Sequence, residues 1–125
     1  MIRLRARSRR IRRTTWFSHE SARREYMTSP AWYARRDRWF ALERKHRGQV
    51  TCPWCANIVT ERDDMHHTTY KRLGAEQHTD LIAMHRECHR KLHDYLDAYP
   101  ARRRRIARNP YIETLRLINT VKGQR

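Results

Sequence analysis

The spacing of cysteine and histidine residues constrains this chain more than any other feature of its sequence. All three cysteines and six of the eight histidines fall between Cys52 and His93. Two pairs have a two-residue gap, Cys52-x-x-Cys55 and His85-x-x-Cys88, and 29 residues separate these pairs. Zinc prefers four tetrahedral nitrogen and sulfur ligands, often supplied as two such pairs. The spacing therefore predicts a structural Zn²⁺ site formed by Cys52, Cys55, His85 and Cys88.

A redox-active thiol pair is the alternative interpretation of the segment Cys52-Pro-Trp-Cys55. That chemistry requires the first cysteine at the start of a helix within a strand–helix–strand unit. The next five residues, Ala-Asn-Ile-Val-Thr, do not have the pattern of a helix start. Three cysteines also cannot all form disulfides within one chain. We therefore favour zinc over redox chemistry.

The hydrophobic content indicates a small core that needs additional stabilisation. The chain has 125 residues and a mean hydropathy of −1.08, which predicts one domain with extensions. A core of this size usually depends on a metal or on oligomerisation. The longest apolar run, Leu81–Met84, is too short to span a bilayer, and no signal-peptide core follows the N-terminus. We predict a soluble, cytoplasmic protein with no membrane partner.

Basic residues are concentrated at the two ends of the chain. Residues 1–47 carry 15 Lys and Arg against 4 Asp and Glu, and residues 100–125 carry 8 against 1. Residues 48–99 carry 6 against 8. Clustered arginine predicts a polyanionic partner, and we expect DNA, although a solvated tail is the alternative. The arginines expected to contact its phosphates are Arg9, Arg10, Arg12, Arg13, Arg102, Arg103, Arg104 and Arg105.

Helix signals flank the cysteine- and histidine-rich region. Ser18 is a candidate N-cap for a short helix that ends near residue 27. Ser29-Pro30 is typical of a helix start, and Gly48 is typical of a helix end, so a helix is expected to about Arg47. Its aromatic residues recur on one face, which predicts a core position. They are Trp32, Tyr33, Trp39 and Phe40.

Short strands and a further helix are expected inside the region itself. Asp64–His67 and Leu81–Met84 are strand candidates joined by a loop around Gly74, and Ile58-Val59 is a third. A helix should run from about Arg86 to Tyr99, where Pro100 would end it.

The C-terminal segment predicts one more helix. Asn109-Pro110 has the pattern of a helix start, and Ile112, Leu115 and Ile118 follow at helical spacing. The sequence leaves open whether this helix covers the core or binds a partner.

Four histidines predict a second metal site beside the zinc ligands. His89 and His93 are four residues apart and share one helix face, whereas Cys88 is rotated by about 100° from His89. His66 and His67 are neighbours in a strand, so their side chains point in opposite directions. One of them can bind a metal while the other faces a substrate. An imidazole with a pKa of ~6.5 can accept a proton from water at neutral pH.

Three motifs in this region match a known family. His66-His67 corresponds to a double histidine, Asp80-Leu-Ile to an "NL(I/V)" element, and Cys88-His89 with His93 to a terminal "CH…H". Tyr70, Gly74 and Glu76 match a loop of the type "HHxTYxRLGxE". With these motifs, residues 50–93 resemble the HNH endonuclease family, in particular the zinc-binding branch common in phage and bacterial proteins.

The resemblance implies a fold, a reaction and a role for each matched residue. The fold would be a small ββα-metal (His-Me finger) core, and the reaction would be phosphodiester hydrolysis in DNA that leaves a 5′-phosphate. His67 would be the general base. Asp80 stands where the family has an asparagine that ties down the loop, but an ionised carboxylate cannot donate a hydrogen bond. The ligands of a catalytic divalent cation (Mg²⁺, Mn²⁺, Ni²⁺ or Zn²⁺) would be His66, His89 and His93.

The complete expectation is a mainly helical α+β protein with four segments. Residues 1–28 would form an Arg-rich, partly disordered extension, 29–49 an amphipathic aromatic helix, 50–99 the HNH nuclease module, and 100–125 a basic helical extension. The enzyme would nick DNA, or cut it with weak specificity, in a bacterial cell or phage-infected host. A homodimer, or a phage-packaging or other nucleoprotein partner, is left open. The alternative function is a non-catalytic, zinc-containing nucleic-acid-binding module.

Overall fold

A computed structural model describes residues 20–123 of the chain. It divides into two compact units, Met1–Arg35 and Arg36–Arg125, which are described separately. In the first unit, residues 20–27 are helical (α1). The expectations for Ser18 and for the disorder of the N-terminal extension lie outside the described residues. So do those for Arg9, Arg10, Arg12 and Arg13.

Helix α2 (Pro30–Arg47) begins and ends where the sequence predicted. The Ser29 hydroxyl accepts the backbone N–H of Trp32 at 3.2 Å, which satisfies one of the free donors of the first turn. At the other end Gly48 has a φ of +79°, a left-handed conformation that glycine adopts without strain.

Three of the four aromatic residues of α2 are buried as predicted. Tyr33 is 52% exposed, so its predicted core position is wrong. Tyr33 and Phe40 are seven residues apart and lie on nearly the same face of α2, so helical periodicity alone does not explain their different exposure. The buried ones are Trp32, Trp39 and Phe40.

The two strands of the second unit form an antiparallel pair. Strand β1 (Asp64–His67) pairs with strand β2 (Leu81–Met84), and the register runs from Asp64 opposite Met84 to His67 opposite Leu81. Both strands were predicted from the sequence and are confirmed. Every residue of β2 is buried, which suits a strand covered on both faces.

A contact with α2 holds the end of the loop between β1 and β2. The loop closes with a 3₁₀ turn, His78–Asp80, immediately before β2. The indole N–H of Trp39 donates to the His78 carbonyl oxygen at 3.0 Å, and the two rings stack with centroids 5.1 Å apart. His78 Nε2 lies 2.5 Å from Glu43 Oε1. The far end of the loop is therefore attached to α2 by the Trp39 hydrogen bond, by ring stacking and by the contact between His78 and Glu43.

Helix α3 (Arg86–Ala98) follows β2 and buries Leu92 and Leu96. Pro100 ends it as predicted, and the same proline opens helix α4 (Pro100–Ile106). Proline suits this position because N–H groups of the first turn lack a partner within the helix, and proline has no N–H. Helix α4 contacts α3, and its last residue, Ile106, is buried.

Helix α5 (Pro110–Val121) covers the core, which the sequence left undecided. It contacts α4 and the 3₁₀ turn. Of the residues predicted at helical spacing, Ile118 is fully buried but Ile112 is 44% exposed. The buried face is thus shifted around the helix from the predicted one. It consists of Thr114, Leu117, Ile118 and Val121.

In the described residues the fold is mainly helical, with one two-stranded antiparallel sheet, so the predicted α+β class is confirmed. Across residues 20–123, no helix is both long and apolar enough to cross a membrane.

The packing of α5 can be tested by two isoleucine substitutions in the same helix. Ile118→Ala should lower the free energy of unfolding by about 2–4 kcal/mol, because it leaves a cavity in the core. Ile112→Ala removes the same atoms from an exposed position and should cost well under 1 kcal/mol. Urea denaturation followed by circular dichroism measures both. Equal effects would contradict the packed position of α5.

Candidate metal centre

The four residues predicted to bind zinc converge on one point. Their ligand atoms all lie within 4.8 Å of one another, and Cys55 Sγ is 3.1 Å from His85 Nδ1. Ligand atoms around a tetrahedral zinc lie roughly 3–4 Å apart, given bonds of ~2.0–2.3 Å. His85 Nε2–H donates to the Ile58 carbonyl oxygen at 3.0 Å, which leaves Nδ1 as the ligand atom. Cys52, Cys55, His85 and Cys88 can therefore hold a structural metal ion such as zinc.

A tight backbone turn presents the first two cysteines. The N–H of Ala56 donates to the Cys52 carbonyl oxygen, and the N–H of Cys52 donates to the Asn57 carbonyl oxygen, both at 2.8 Å. Ala56 has a φ of +65°, a conformation that few residues other than glycine adopt. The predicted strand at Ile58-Val59 is reduced to one isolated bridge between Thr51 and Ile58, which closes the turn.

The electrostatics of the thiols fit a cation among them. Burial, together with the neighbouring Cys52 and Cys55, raises the pKa of Cys88 to about 12. Burial also raises the pKa of Cys55, but hydrogen bonds with the Asn57 backbone and with His85 outweigh it and bring the value to about 7. Three thiolates in one buried place repel each other. A divalent cation offsets that repulsion, so metal binding and thiol ionisation are coupled.

Three of the four remaining predicted histidines form a second cluster between β1 and α3. His66 Nδ1 lies 3.2 Å from His89 Nε2, which is 3.0 Å from His93 Nε2. These atoms could hold a metal ion. His89 Nδ1–H donates to Asp64 Oδ2 at 3.1 Å, a carboxylate contact typical of histidine ligands. Burial and the neighbouring imidazoles lower the pKa of His66 well below its usual range. Burial and the neighbouring His89 also lower the pKa of His93. Both shifts favour the neutral form that binds a metal.

His67 is separated from this cluster by the alternation of β1 and forms a buried pair of its own. Its Nε2 lies 2.9 Å from Glu76 Oε2, and the two side chains are 1% and 0% exposed. An ionised Glu76 can only accept, which would place the imidazole proton on Nε2. The ring also stacks on Tyr70, with centroids 5.2 Å apart. These contacts hold the imidazole in one orientation.

Glu76 is the main site residue to which sequence reasoning gave no role. It appeared only as a matching letter in a polar loop, and a loop glutamate is ordinarily exposed. Asp64, behind His89, was likewise expected only as a strand residue. In both cases the signal available in the sequence was proximity to the histidines, which does not distinguish a partner from a solvated charge.

Asp80 ties down the loop although it cannot donate. Arg72 supplies the donors, with Nε 2.8 Å from Oδ2 and a terminal guanidinium nitrogen 2.5 Å from Oδ1. The Gln77 N–H donates to the same carboxylate at 2.9 Å. The hydrogen bond from Arg72 is the main reason that the pKa of Asp80 is lowered. An acceptor-only residue at this position is thus matched by donors from the loop itself.

His66, His67 and His93 line one groove with a volume of about 210 Å³. Helices α4 and α5 contribute to its walls, and Arg103 is one of the lining residues. The other three predicted arginines of α4 do not line it. Arg102 and Arg105 line a different groove, and Arg104 is exposed.

Comparisons with known proteins leave the chemistry to be argued from these residues. No protein-family model, curated protein or solved structure matches the chain. The resemblance to HNH endonucleases therefore stays a prediction from the motifs.

Removing the metal tests the cysteine-containing cluster. A strong chelator should unfold the second unit or lower its melting temperature sharply, because structural zinc sites contribute an apparent ~10–16 kcal/mol. Circular dichroism and thermal melting, with and without chelator, measure the effect. Cys88→Ser should melt at a lower temperature and lose its response to the chelator. An unchanged spectrum and melting temperature of the unaltered protein would exclude a structural metal.

Proposed function

We propose that this chain is a metal-dependent endonuclease of the HNH type, which hydrolyses phosphodiester bonds in DNA. One observation supports this proposal above all. Two imidazoles of the three-histidine cluster, His66 and His93, line the same groove as His67, whose imidazole contacts a carboxylate. A purely structural site has no use for an oriented base beside a metal-binding cluster that opens to a groove.

Cation binding and water activation would fall to residues on opposite sides of β1. His66, His89 and His93 would hold a divalent cation such as Mg²⁺, Mn²⁺, Ni²⁺ or Zn²⁺. When bound, such a cation polarises the phosphate and neutralises charge that builds on the leaving oxygen. Asp64 fixes the His89 ring for this purpose. Imidazole suits Ni²⁺ and Zn²⁺ as a ligand, whereas Mg²⁺ and Mn²⁺ prefer oxygen ligands, so the ion that supports cleavage is to be measured metal by metal.

His67 would activate the attacking water. The water oxygen adds to phosphorus, its proton passes to His67 Nδ1, and the bond between phosphorus and the 3′ oxygen breaks. The leaving oxygen takes up a proton from solvent, so the products are a 5′-phosphate and a 3′-hydroxyl. An ionised Glu76, 2.9 Å from Nε2, would keep a proton on that nitrogen, so that Nδ1 is the nitrogen that accepts the proton of the water.

Attraction of DNA would come from outside the catalytic region. The chain has a formal net charge of +16, yet residues 48–99 are slightly acidic. Contacts between phosphates and the arginines of the two ends would release counterions, so binding should weaken steeply as salt is raised. No element of the described residues has the pattern of a base-reading motif, which favours nicking or weakly specific cutting.

Substitution of His67 tests the catalytic proposal directly. His67→Ala should reduce cleavage of supercoiled plasmid by a factor of about 10² to 10⁴, because the positioned base is lost. Binding of the same plasmid should change little. Nicking is measured with Mg²⁺, Mn²⁺ or Ni²⁺ and with EDTA, and His46→Ala, an exposed histidine of α2, is the matched control. Undiminished cutting by His67→Ala would exclude it as the base. A chain that binds DNA but never cuts would instead be the non-catalytic module.

The pairing of His67 with Glu76 yields a second prediction. Glu76→Gln keeps the size of the side chain but removes the charge, and it should slow nicking by roughly 10- to 100-fold, as for other residues that orient a catalytic or ligand histidine. Glu87→Gln, at an exposed position of α3, removes one charge as well and should retain the rate. Single-turnover nicking and melting temperature are measured together. Equal rates for the two variants would show that Glu76 is only structural.

A further inference from the structure

We propose that Arg103, supplied by helix α4, binds the phosphate that is cleaved, whereas its neighbouring arginines contribute only general attraction to DNA. This inference rests on the proposed function and assigns a distinct role to one residue of a run that the sequence presents as uniform. It also makes the C-terminal helical segment a part of the catalytic groove.

Helical periodicity separates the four arginines. Successive residues of α4 are rotated by about 100°, so the four arginines cannot all face the same direction. Arg103 lines the groove of His66, His67 and His93. Arg102 and Arg105 line another groove, where Glu113 lies 3.8 Å from Arg105. The buried side chain of Ile106 fixes the rotation of α4, so this assignment does not depend on flexible side chains alone.

Arg103 places a positive charge beside the histidine cluster. It lines the same groove as His66 and His93, so its guanidinium would attract a phosphate that enters there.

The guanidinium of Arg103 forms an ion pair and keeps N–H donors for a ligand. One of its terminal nitrogens lies 2.6 Å from Asp97 Oδ1, and the two side chains are 50% and 71% exposed. An exposed ion pair of this kind contributes little to stability, so the side chain can reorient toward a ligand. A guanidinium has five N–H donors, and most remain after this contact.

The chemistry of phosphate hydrolysis suits such a group. Negative charge is spread over the non-bridging oxygens of the transition state, and a guanidinium fork matches two of them with charge-assisted hydrogen bonds. Lys71, from the loop after β1, is the other cation among the described residues that line the groove. A lysine offers a point charge on a flexible chain and not a planar fork. Arg103 is therefore the better candidate for the cleaved phosphate.

Two substitutions in the same helix test the proposal. Arg103→Ala and Arg104→Ala each remove one exposed arginine, so both should keep the melting temperature. Binding of a short DNA duplex is measured by fluorescence anisotropy with each change combined with His67→Ala, and the two dissociation constants should agree within about threefold. Single-turnover nicking at saturating protein should be slower for Arg103→Ala than for Arg104→Ala by a factor of roughly 10 to 100, the loss expected for one charge-assisted contact.

A conservative substitution completes the experiment. Arg103→Lys keeps the charge without the fork, so its nicking rate should lie between those of the unaltered protein and Arg103→Ala. Equal rates for Arg103→Ala and Arg104→Ala, with the unaltered protein active, would overturn this inference alone. If the unaltered protein fails to nick with Mg²⁺, Mn²⁺ and Ni²⁺, both the proposed function and this inference are wrong. If Arg103→Ala unfolds, the nicking rates of Arg103→Lys and Arg104→Lys are compared instead, and equal rates overturn the inference.

Discussion

The packing of α3 against β1 is the contact on which both cysteine and histidine clusters depend. Leu92 and Leu96 are almost fully buried and fix the rotation of this helix. With that rotation fixed, the step of about 100° per residue turns Cys88 toward the cysteine turn and His89 toward β1. Ligand bonds tolerate only a few tenths of an ångström, so a loosely packed helix could not complete either cluster. The burial of these leucines thus determines where the cysteine and histidine side chains lie.

Carboxylates orient the polar residues of the groove and of its loop. Asp64 contacts the ring of His89, Glu76 contacts that of His67, and Asp80 is paired with Arg72. An unpaired buried carboxylate would be costly, and the two buried ones, Glu76 and Asp80, each have a partner. The rings of His67 and His89 are therefore held in fixed orientations. At the proposed active site, such preorganisation would contribute to the rate.

The packing of the C-terminal helices directs their basic residues to different surfaces. A run of four arginines suggests a uniform, solvated charge. Once α4 and α5 are anchored by Ile106 and Ile118, the run is divided among different directions, and one arginine faces the histidine groove. Most of the other basic residues fall, in sequence, in residues 1–47 and 100–125, outside the slightly acidic segment 48–99. The proposed roles of general attraction to DNA and of local phosphate contact therefore fall on different arginines.

The sequence by itself determined the elements and the local ligand pairs, because both follow from short-range spacing. The bounds of α2, the strands β1 and β2, and the grouping of Cys52 with Cys55 all depend on residues a few positions apart. Only the tertiary structure decided which face of α5 is buried, that Glu76 folds under His67, and which arginine enters the groove. These outcomes depend on contacts between residues of different elements. Local periodicity does not encode such contacts, since the angle at which one element meets another is set by packing.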